Sequence, residues 1–402
     1  MEISRKFIDF VRDHSIDDVV SLRLKYSGKQ EENFDFDLDF ALLQIEARRK
    51  SRKKIPGFLR HQDFLFPTLL AAEQASNEAI ARFHASLIPS QSTLLDLTAG
   101  LGIDDMCFAM NSINVTACEI DEIKCDVLRH NAKVLGVTDR LSVINRDSIS
   151  YIHKCISGYD VVFADPARRD NSGSRVHALS DCQPDILSVL TEIMTLSPRL
   201  LVKCSPLLDL SFIRNTVDNL CRIYVVCFKG ECKEVLIDIQ KNVSFSGVTV
   251  VDIDHEKEIS RFNTHFASTS KQSSVSYCDR KNASDYRYLY EPNTGVMKTG
   301  EWYSLVETFP QLSKSAPNSH IFLSDALYKD FPGRIMKIIS QPDKRALKAF
   351  KGERVNVVSR NHPLSAPEII KKYSLSSGND RFLYAFRYNS IPIFLEVMHL
   401  KV

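Results

Sequence analysis

Residues 94–105, Leu-Leu-Asp-Leu-Thr-Ala-Gly-Leu-Gly-Ile-Asp-Asp, constrain this chain more than any other stretch. Leu94, Leu95 and Leu97 read as a short buried strand, Gly100-x-Gly102 as a tight turn, and Asp104 through Met110 as the start of a helix. Glycine lacks Cβ, so the backbone turns sharply there and lets a ligand come close. The helix start that follows offers free N–H groups. One glycine pair is weak evidence alone. It becomes strong when further strands arrive at regular intervals with polar residues at their ends, because open α/β sheets bind ligands outside the strand tips.

They do arrive. Asn114–Cys118 reads as a second strand ending in Glu119, a helix spans Ile123–Leu135 and stops at Gly136, and Leu141–Ile144 is a third strand leading to Asp147 and Ser148. Tyr159–Ala164 is a fourth, followed by Asp165-Pro166-Ala167-Arg168-Arg169, and Leu200–Val202 a fifth, followed by Lys203. Ile223–Phe228 and Glu234–Ile239 then read as a hairpin. An acid at the second strand's tip suits a ribose diol, since a carboxylate accepts two hydrogen bonds. Asp147 is placed to accept from an exocyclic amine such as adenine's. Upstream, Leu69–Leu87 reads as one helix, whose Gln74 and Ser76 can hold the polar end of a ligand or serve as ordinary surface. A dinucleotide fold is the rival reading. The third glycine of its fingerprint is missing, because Asp105 stands three after Gly102. Acids at 104 and 105 oppose a pyrophosphate and tolerate a cationic ligand.

Five strand–helix units closed by a hairpin resemble the class I S-adenosylmethionine-dependent methyltransferases. The resemblance implies that Asp96, Gly100 and Gly102 surround the methionine moiety, that Glu119 holds the ribose and Asp147 the adenine amine. Thr98, Ser148 and Gln74 complete the expected cofactor set. Asp165, Pro166 and Arg168 form the expected catalytic loop, which resembles the Asp-Pro-Pro-x loop of amine and nucleobase methyltransferases. It departs at Ala167, and Arg168 and Arg169 stand where an aromatic would stack on a base. An arginine plane can stack instead, or bind a phosphate. Asp165 is the candidate hydrogen-bond acceptor for the methyl acceptor, with Asp-Pro as a plain turn the alternative.

A chain of 402 residues exceeds one hydrophobic core. The expected divisions are an N-terminal helical region (1–62), a methyltransferase domain (63–275), a small ferredoxin-like unit (276–325) and a THUMP-like α+β domain (326–402). The first region shows two short helices with a turn near His14-Ser15, then acids (Glu31 to Glu46), then bases from Arg48 to Arg60. That basic run reads equally as a nucleic-acid contact or as a helix face paired with its neighbouring acids. Net charge is only +2, so its distribution matters more than its sum. Between 331 and 372 ten bases, Lys344, Arg345 and Lys348 among them, face only Asp343, Glu353 and Glu368. Such an excess suits an RNA backbone, or else a solvated scaffold or dimerisation surface. Tyr290-Glu291-Pro292-Asn293, Phe331-Pro332-Gly333-Arg334 and Arg360-Asn361-His362-Pro363-Leu364 resemble methyltransferases that carry a THUMP-like C-terminal domain. That implies an RNA substrate, tRNA or rRNA, bound by Arg169, Lys203, Lys344, Arg345 and Lys348.

Ten cysteines without a CxxC pair point to buried reduced thiols and no metal. The N-terminus lacks a signal-peptide core and no apolar run is long enough to span a bilayer, so the expectation is a cytoplasmic protein with no membrane partner. The sequence-level reading is thus an α/β fold: a class I (Rossmann-like) methyltransferase domain with an N-terminal helical region and a C-terminal α+β THUMP-like region. Its activity is S-adenosylmethionine-dependent methylation of structured RNA. The alternatives are a protein or small-molecule methyltransferase, or a non-catalytic RNA-binding protein that keeps the cofactor pocket. The target nucleotide and the oligomeric state stay open.

Overall fold

The structure, a computed structural model, describes residues 3–26, 34–155, 158–168, 182–217, 220–254, 257–264, 275–378 and 380–400. The chain forms two compact units, one comprising Met1–Phe228, Lys233–Phe245 and Ile253–Lys257, the other Lys229–Cys232, Ser246–Asp252 and Glu258–Val402.

The first unit begins with helices α1 (Arg5–Asp13), α2 (Val19–Tyr26) and α3 (Leu38–Ser51). Ser4 and Asp37 cap α1 and α3 by accepting the N–H of Phe7 and Phe40. Phe7 and Val11, one turn apart, are buried, as are Leu38, Leu42 and Ile45 of α3. The basic run after α3 is tied down within the unit. Arg48 is half-buried and donates to the carbonyls of His61, Gln62 and Phe64. Lys50 pairs with Glu46 and Glu73, and Lys54 donates to the Glu73 carbonyl. Of these three side chains only Lys50 is paired with acids as expected; Arg48 and Lys54 are held by backbone carbonyls instead.

The single helix expected over 69–87 is two helices, α4 (Leu69–Gln74) and α5 (Glu78–Ser86). Ala75 is extended, and Asn77 caps α5 by accepting the Ala79 N–H at 2.9 Å. The apolar periodicity runs through Ala71, Ala72 and Ile80 and hides this break.

A parallel sheet follows: β1 (Thr93–Asp96), α6 (Ile103–Met110), β2 (Asn114–Glu119), α7 (Glu122–Val134), β3 (Leu141–Asn145), α8 (Ser148–Ile152) and β4 (Val161–Ala164). The short strands β5 (Ala167–Arg168) and β6 (Cys182–Gln183) pair with each other. Then come α9 (Leu190–Leu196), β7 (Arg199–Cys204), α10 (Leu210–Thr216), β8 (Leu220–Phe228) and β9 (Glu231–Gln240). Within the unit the order is β8-β9-β7-β4-β1-β2-β3. β1 pairs in parallel with β2 on one side and β4 on the other, so the chain reverses direction across the sheet at β1. That reversal opens a crevice beyond the strand tips. The strands are nearly continuous apolar runs, as burial on both faces requires: Leu94, Leu95, Val162, Leu200, Leu201 and Ile237 are fully buried. The ten cysteines are free thiols.

The second unit contains β10 (Val248–Asp254) and β11 (Lys257–Thr264), which are neighbours, and a seven-stranded sheet. That sheet is built from β12 (Tyr288–Pro292), β13 (Ser313–Lys314), β14 (Phe322–Ser324), β15 (Gly333–Ser340), β16 (Asn356–Ser359), β17 (Arg381–Tyr388) and β18 (Ile391–His399), in the order β13-β14-β12-β15-β18-β17-β16. Only β16–β17 is parallel. The division expected at 325/326 falls between β14 and β15, which both pair with β12 in this sheet. Helices α11 (Thr294–Thr299), α12 (Trp302–Thr308), α13 (Ala346–Ala349) and α14 (Ala366–Tyr373) complete it. Leu289, Met336, Phe386 and Val397 form one core, and Leu347, Ile369 and Leu383 another. Among the described residues no helix is long and apolar enough to cross a membrane, and no group of side chains has metal-site geometry.

Candidate active site

The first unit's crevice holds a cleft of about 370 Å³. All eight residues expected around a cofactor line it: Gln74, Asp96, Thr98, Gly100, Gly102, Glu119, Asp147 and Ser148. Asp165 and Ala167 line it too. Gly100 and Gly102 have φ of +58° and +78°, a left-handed conformation that L side chains rarely adopt. At Gly100 a Cβ would meet only the Thr98 carbonyl at 3.8 Å, so the turn leaves open space. Glu119 ties the turn to the second strand: one oxygen accepts the Gly100 N–H and the other the Asp121 N–H, both at 3.0 Å. Asp147 is exposed and caps α8 by accepting the Ser150 N–H.

Behind the cleft lies a charge network that the sequence reading missed. His84 of α5 is fully buried, its Nδ1 2.8 Å from Asp104 and its Nε2 2.5 Å from Glu234. Burial lowers its pKa, but two carboxylates outweigh burial and lift it to about 9, so the ring is an imidazolium. Asp104, its own burial outweighed by His84, Lys203 and Ser76, falls to about 2. Ser76 donates to Asp104. Lys203 donates to Ser76 at 2.9 Å and to Asp165 at 2.7 Å, and stands 3.9 Å from Glu234. Its carboxylate neighbours hold its pKa above the ordinary value despite burial. Burial raises Asp165 and Lys203 pulls it back, with the upward effect the larger. The Asp165 N–H donates to Thr98 Oγ1 at 2.6 Å, and the Thr98 N–H to Asp96 at 2.7 Å. In this network three carboxylates surround two cations.

The acids at 104 and 105 therefore do not act as two bare charges. Asp104 is neutralised by His84, and Asp105 is fully buried beside Asp96. Burial and neighbouring Asp96 push Asp105 well above the carboxylate range, so it is a neutral acid. Lys203, expected to bind substrate, is engaged with Asp165 and Ser76. Pro166 is buried and outside the cleft lining; the Arg168 side chain and all of Arg169 lie outside the described residues. Lys344, Arg345 and Lys348 are exposed residues of the second unit, around α13.

A family model described as RNA cap guanine-N2 methyltransferase matches residues 91–290, and one described as a ferredoxin-like domain matches 288–332. Residues 91–290 thus form a class I methyltransferase domain. A crystal structure from Porphyromonas gingivalis W83, provisionally assigned as a methyltransferase, overlays on this methyltransferase over 100% of both chains, with a TM-score of 0.83 at 24% identity. Partial overlays include TrmK of M. capricolum bound to S-adenosyl-homocysteine (14% identity, 42% of this chain and 70% of that one, TM-score 0.33). Another is an rRNA methylase of Streptococcus thermophilus (15% identity, 41% and 95%, TM-score 0.31). The family's cofactor is S-adenosylmethionine.

Proposed function

We propose that this methyltransferase transfers a methyl group from S-adenosylmethionine to a base of structured RNA, tRNA or rRNA. The observation that carries the reading is convergence: the tips of β1, β2, β3 and β4 deliver Gly100, Glu119, Asp147 and Asp165 to one cleft.

The residues fit the cofactor. The open space at Gly100 admits a ligand against the backbone. Glu119 would accept from the ribose diol through its remaining lone pairs, and exposed Asp147 from the adenine amine. Gln74, Thr98 and Ser148 supply further polar edges. When bound, the cofactor supplies a methyl group made electrophilic by a sulfonium. The chain's own part is to align the acceptor and receive its hydrogen bond. Asp165 does the latter. Its raised pKa suits a proton acceptor, while Lys203 and Thr98 fix its position from two sides. RNA as substrate rests on the matched family model and on the excess of bases between 331 and 372, in the unit that resembles a THUMP-like domain.

The deciding experiment is transfer of radiolabelled methyl to total RNA from a strain lacking this gene, compared with wild-type RNA. Incorporation into the deletion-strain RNA alone is expected. Label appearing only in protein or small molecules, or nowhere, overturns the RNA reading.

A further inference from the structure

Three sequence motifs remain unused by the cleft: those around Glu291, Arg334 and Arg360. The second unit brings them together. Glu291 of β12 is paired in register with Arg334 of β15. Gly333 makes that pairing possible, because a Cβ there would lie 2.2 Å from the Glu291 carbonyl oxygen. The Glu291 side chain is 3% exposed. One oxygen accepts from Arg360 Nε at 2.6 Å; the other accepts from the Tyr384 hydroxyl at 2.8 Å and lies 3.5 Å from Arg334. Tyr384 is itself fully buried. The two arginine side chains are 56% and 44% exposed, and neither has a second carboxylate partner among the described residues. One buried carboxylate thus holds two half-exposed guanidiniums, leaving a net positive charge, and Arg360 is held further by donating through Nη1 to the Ser359 carbonyl at 3.3 Å.

An aromatic edge adjoins them. His320 is exposed, with its ring centroid 5.2 Å from that of Trp302, and the Lys314 ammonium sits 5.1 Å from the Trp302 ring. Partial burial, Lys314 and Arg360 together hold the His320 pKa below its ordinary value, so at neutral pH the ring is uncharged. A neutral ring stacks on a base, whereas a charged one would compete for phosphate.

We propose that Arg334 and Arg360, anchored on Glu291, form a phosphodiester site for RNA, with His320 as the platform for an adjacent base. The proposal rests on RNA being the substrate. It differs from the α13 lysines and arginine in having its cations oriented by a buried partner rather than free in solvent.

Trp302 is the chain's only tryptophan, so its fluorescence reports on this edge. The full chain is titrated with a labelled oligoadenylate, with bulk tRNA and with inorganic pyrophosphate, following anisotropy and Trp302 emission across a salt series. Arg334→Gln leaves the Arg360–Glu291 pair in place, and Arg360→Lys keeps a cation on Glu291; thermal melts confirm that both remain folded. Each is expected to weaken oligoadenylate and tRNA about tenfold; Arg334→Gln also reduces the salt slope by about one, whereas Arg360→Lys, which keeps the charge and loses the fork geometry, leaves the slope near the wild-type value. His320→Ala is expected to remove the emission change caused by oligoadenylate. Unchanged affinity and slope in both arginine variants, with RNA methylation intact, overturn the site and leave the RNA reading standing. No binding of either RNA by the wild type, together with no methyl transfer to RNA, overturns both. Equal affinity for pyrophosphate and oligoadenylate overturns RNA as the occupant.

Discussion

The two units each contain a buried ionic cluster, and the two are built with opposite polarity. In the first, His84 and Lys203 are enclosed by Asp104, Glu234 and Asp165. In the second, Glu291 is enclosed by Arg334, Arg360 and the Tyr384 hydroxyl. The difference is access. His84 has no exposure, so its hydrogen bonds are fully committed within the protein and it can only hold its neighbours in place, leaving Asp165 at the cluster's edge to face the cleft. The second cluster's cations reach solvent and keep donors to offer. Desolvated ion pairs cost much to break, whereas exposed ones rehydrate when a partner is lost.

The largest effect should follow from removing the first cluster's central cation. His84→Leu strands Asp104 and Glu234 without their counter-charge, and the loss of stability should be about 3–5 kcal/mol. Denaturant unfolding measures it; adding Glu234→Gln should recover part of the loss. A loss below about 1 kcal/mol would mean that the cluster is hydrated and the contrast between the units does not exist.

Next is Lys203→Met. If Lys203 positions Asp165, methyl transfer should fall by about 10²–10³-fold, the usual effect of removing one preorganised electrostatic contact. S-adenosylhomocysteine affinity, measured calorimetrically, should barely move, because none of the eight expected cofactor residues is bonded directly to Lys203. A loss confined to RNA affinity would restore Lys203 as a substrate contact.

The contrast also explains what the sequence could reveal. The succession of strands and their tip residues were legible because each βαβ unit is local: Asp96, Glu119, Asp147 and Asp165 each follow an apolar run, and the helices after β1 and β2 bring the first three runs side by side. The first cluster was not legible. His84 meets partners 20 and 150 residues away, and in sequence it is one polar position in an apolar helix. Glu234 looked like the first residue of a hairpin strand. Asp104 and Asp105 were visible as acids, but their unequal ionisation depends on burial and on His84, which only the packed sheet supplies. The break at Ala75–Asn77 carried a signal that was available, the Asn77 cap, and it is what aims Ser76 at Asp104 and Lys203. In the second unit the motifs were visible as strings, and their meeting point at Glu291 was set by the β12–β15 register.

Stability against pH sharpens the same comparison. The His84 pKa is raised from 6.5 to about 9 in the fold. Its contribution is fully present below pH 6.5 and is lost as pH rises through about 9. Asp104 works the other way: its contribution is present above pH 3.8 and is lost as pH falls through about 2. The wild type should therefore lose roughly 3 kcal/mol between pH 6.5 and 10 beyond any change seen in His84→Leu, since each pKa unit is worth about 1.4 kcal/mol. Parallel pH profiles for the two proteins would show that His84 does not hold its proton.

Glu119→Ala should weaken S-adenosylhomocysteine by about 10–100-fold, the worth of one or two hydrogen bonds to a charged group. The variant also frees the Gly100 and Asp121 N–H groups, so a control is needed that keeps the turn. Glu119→Gln provides it: one amide oxygen still accepts an N–H, and the remaining deficit isolates the carboxylate's bond to the diol. Equal affinity in all three proteins would remove Glu119 from the ribose.

The smallest effect should come from Glu291→Gln, and it tests the polarity contrast most directly. Its arginines are about half exposed, so the loss of their anchor should cost only about 1–2 kcal/mol, well below His84→Leu. The glutamine oxygen can still accept from the Tyr384 hydroxyl or from Arg360, but not hold both arginines with a charge. Local positive charge rises by one while orientation is lost, and the two changes pull RNA affinity in opposite directions. Pure electrostatic attraction predicts tighter RNA binding with a steeper salt slope; a built site predicts weaker binding despite the added charge. Weaker binding is the expected outcome. Tighter binding would mean that the arginines act as loose surface charge, and the second cluster would then differ from the first in exposure alone.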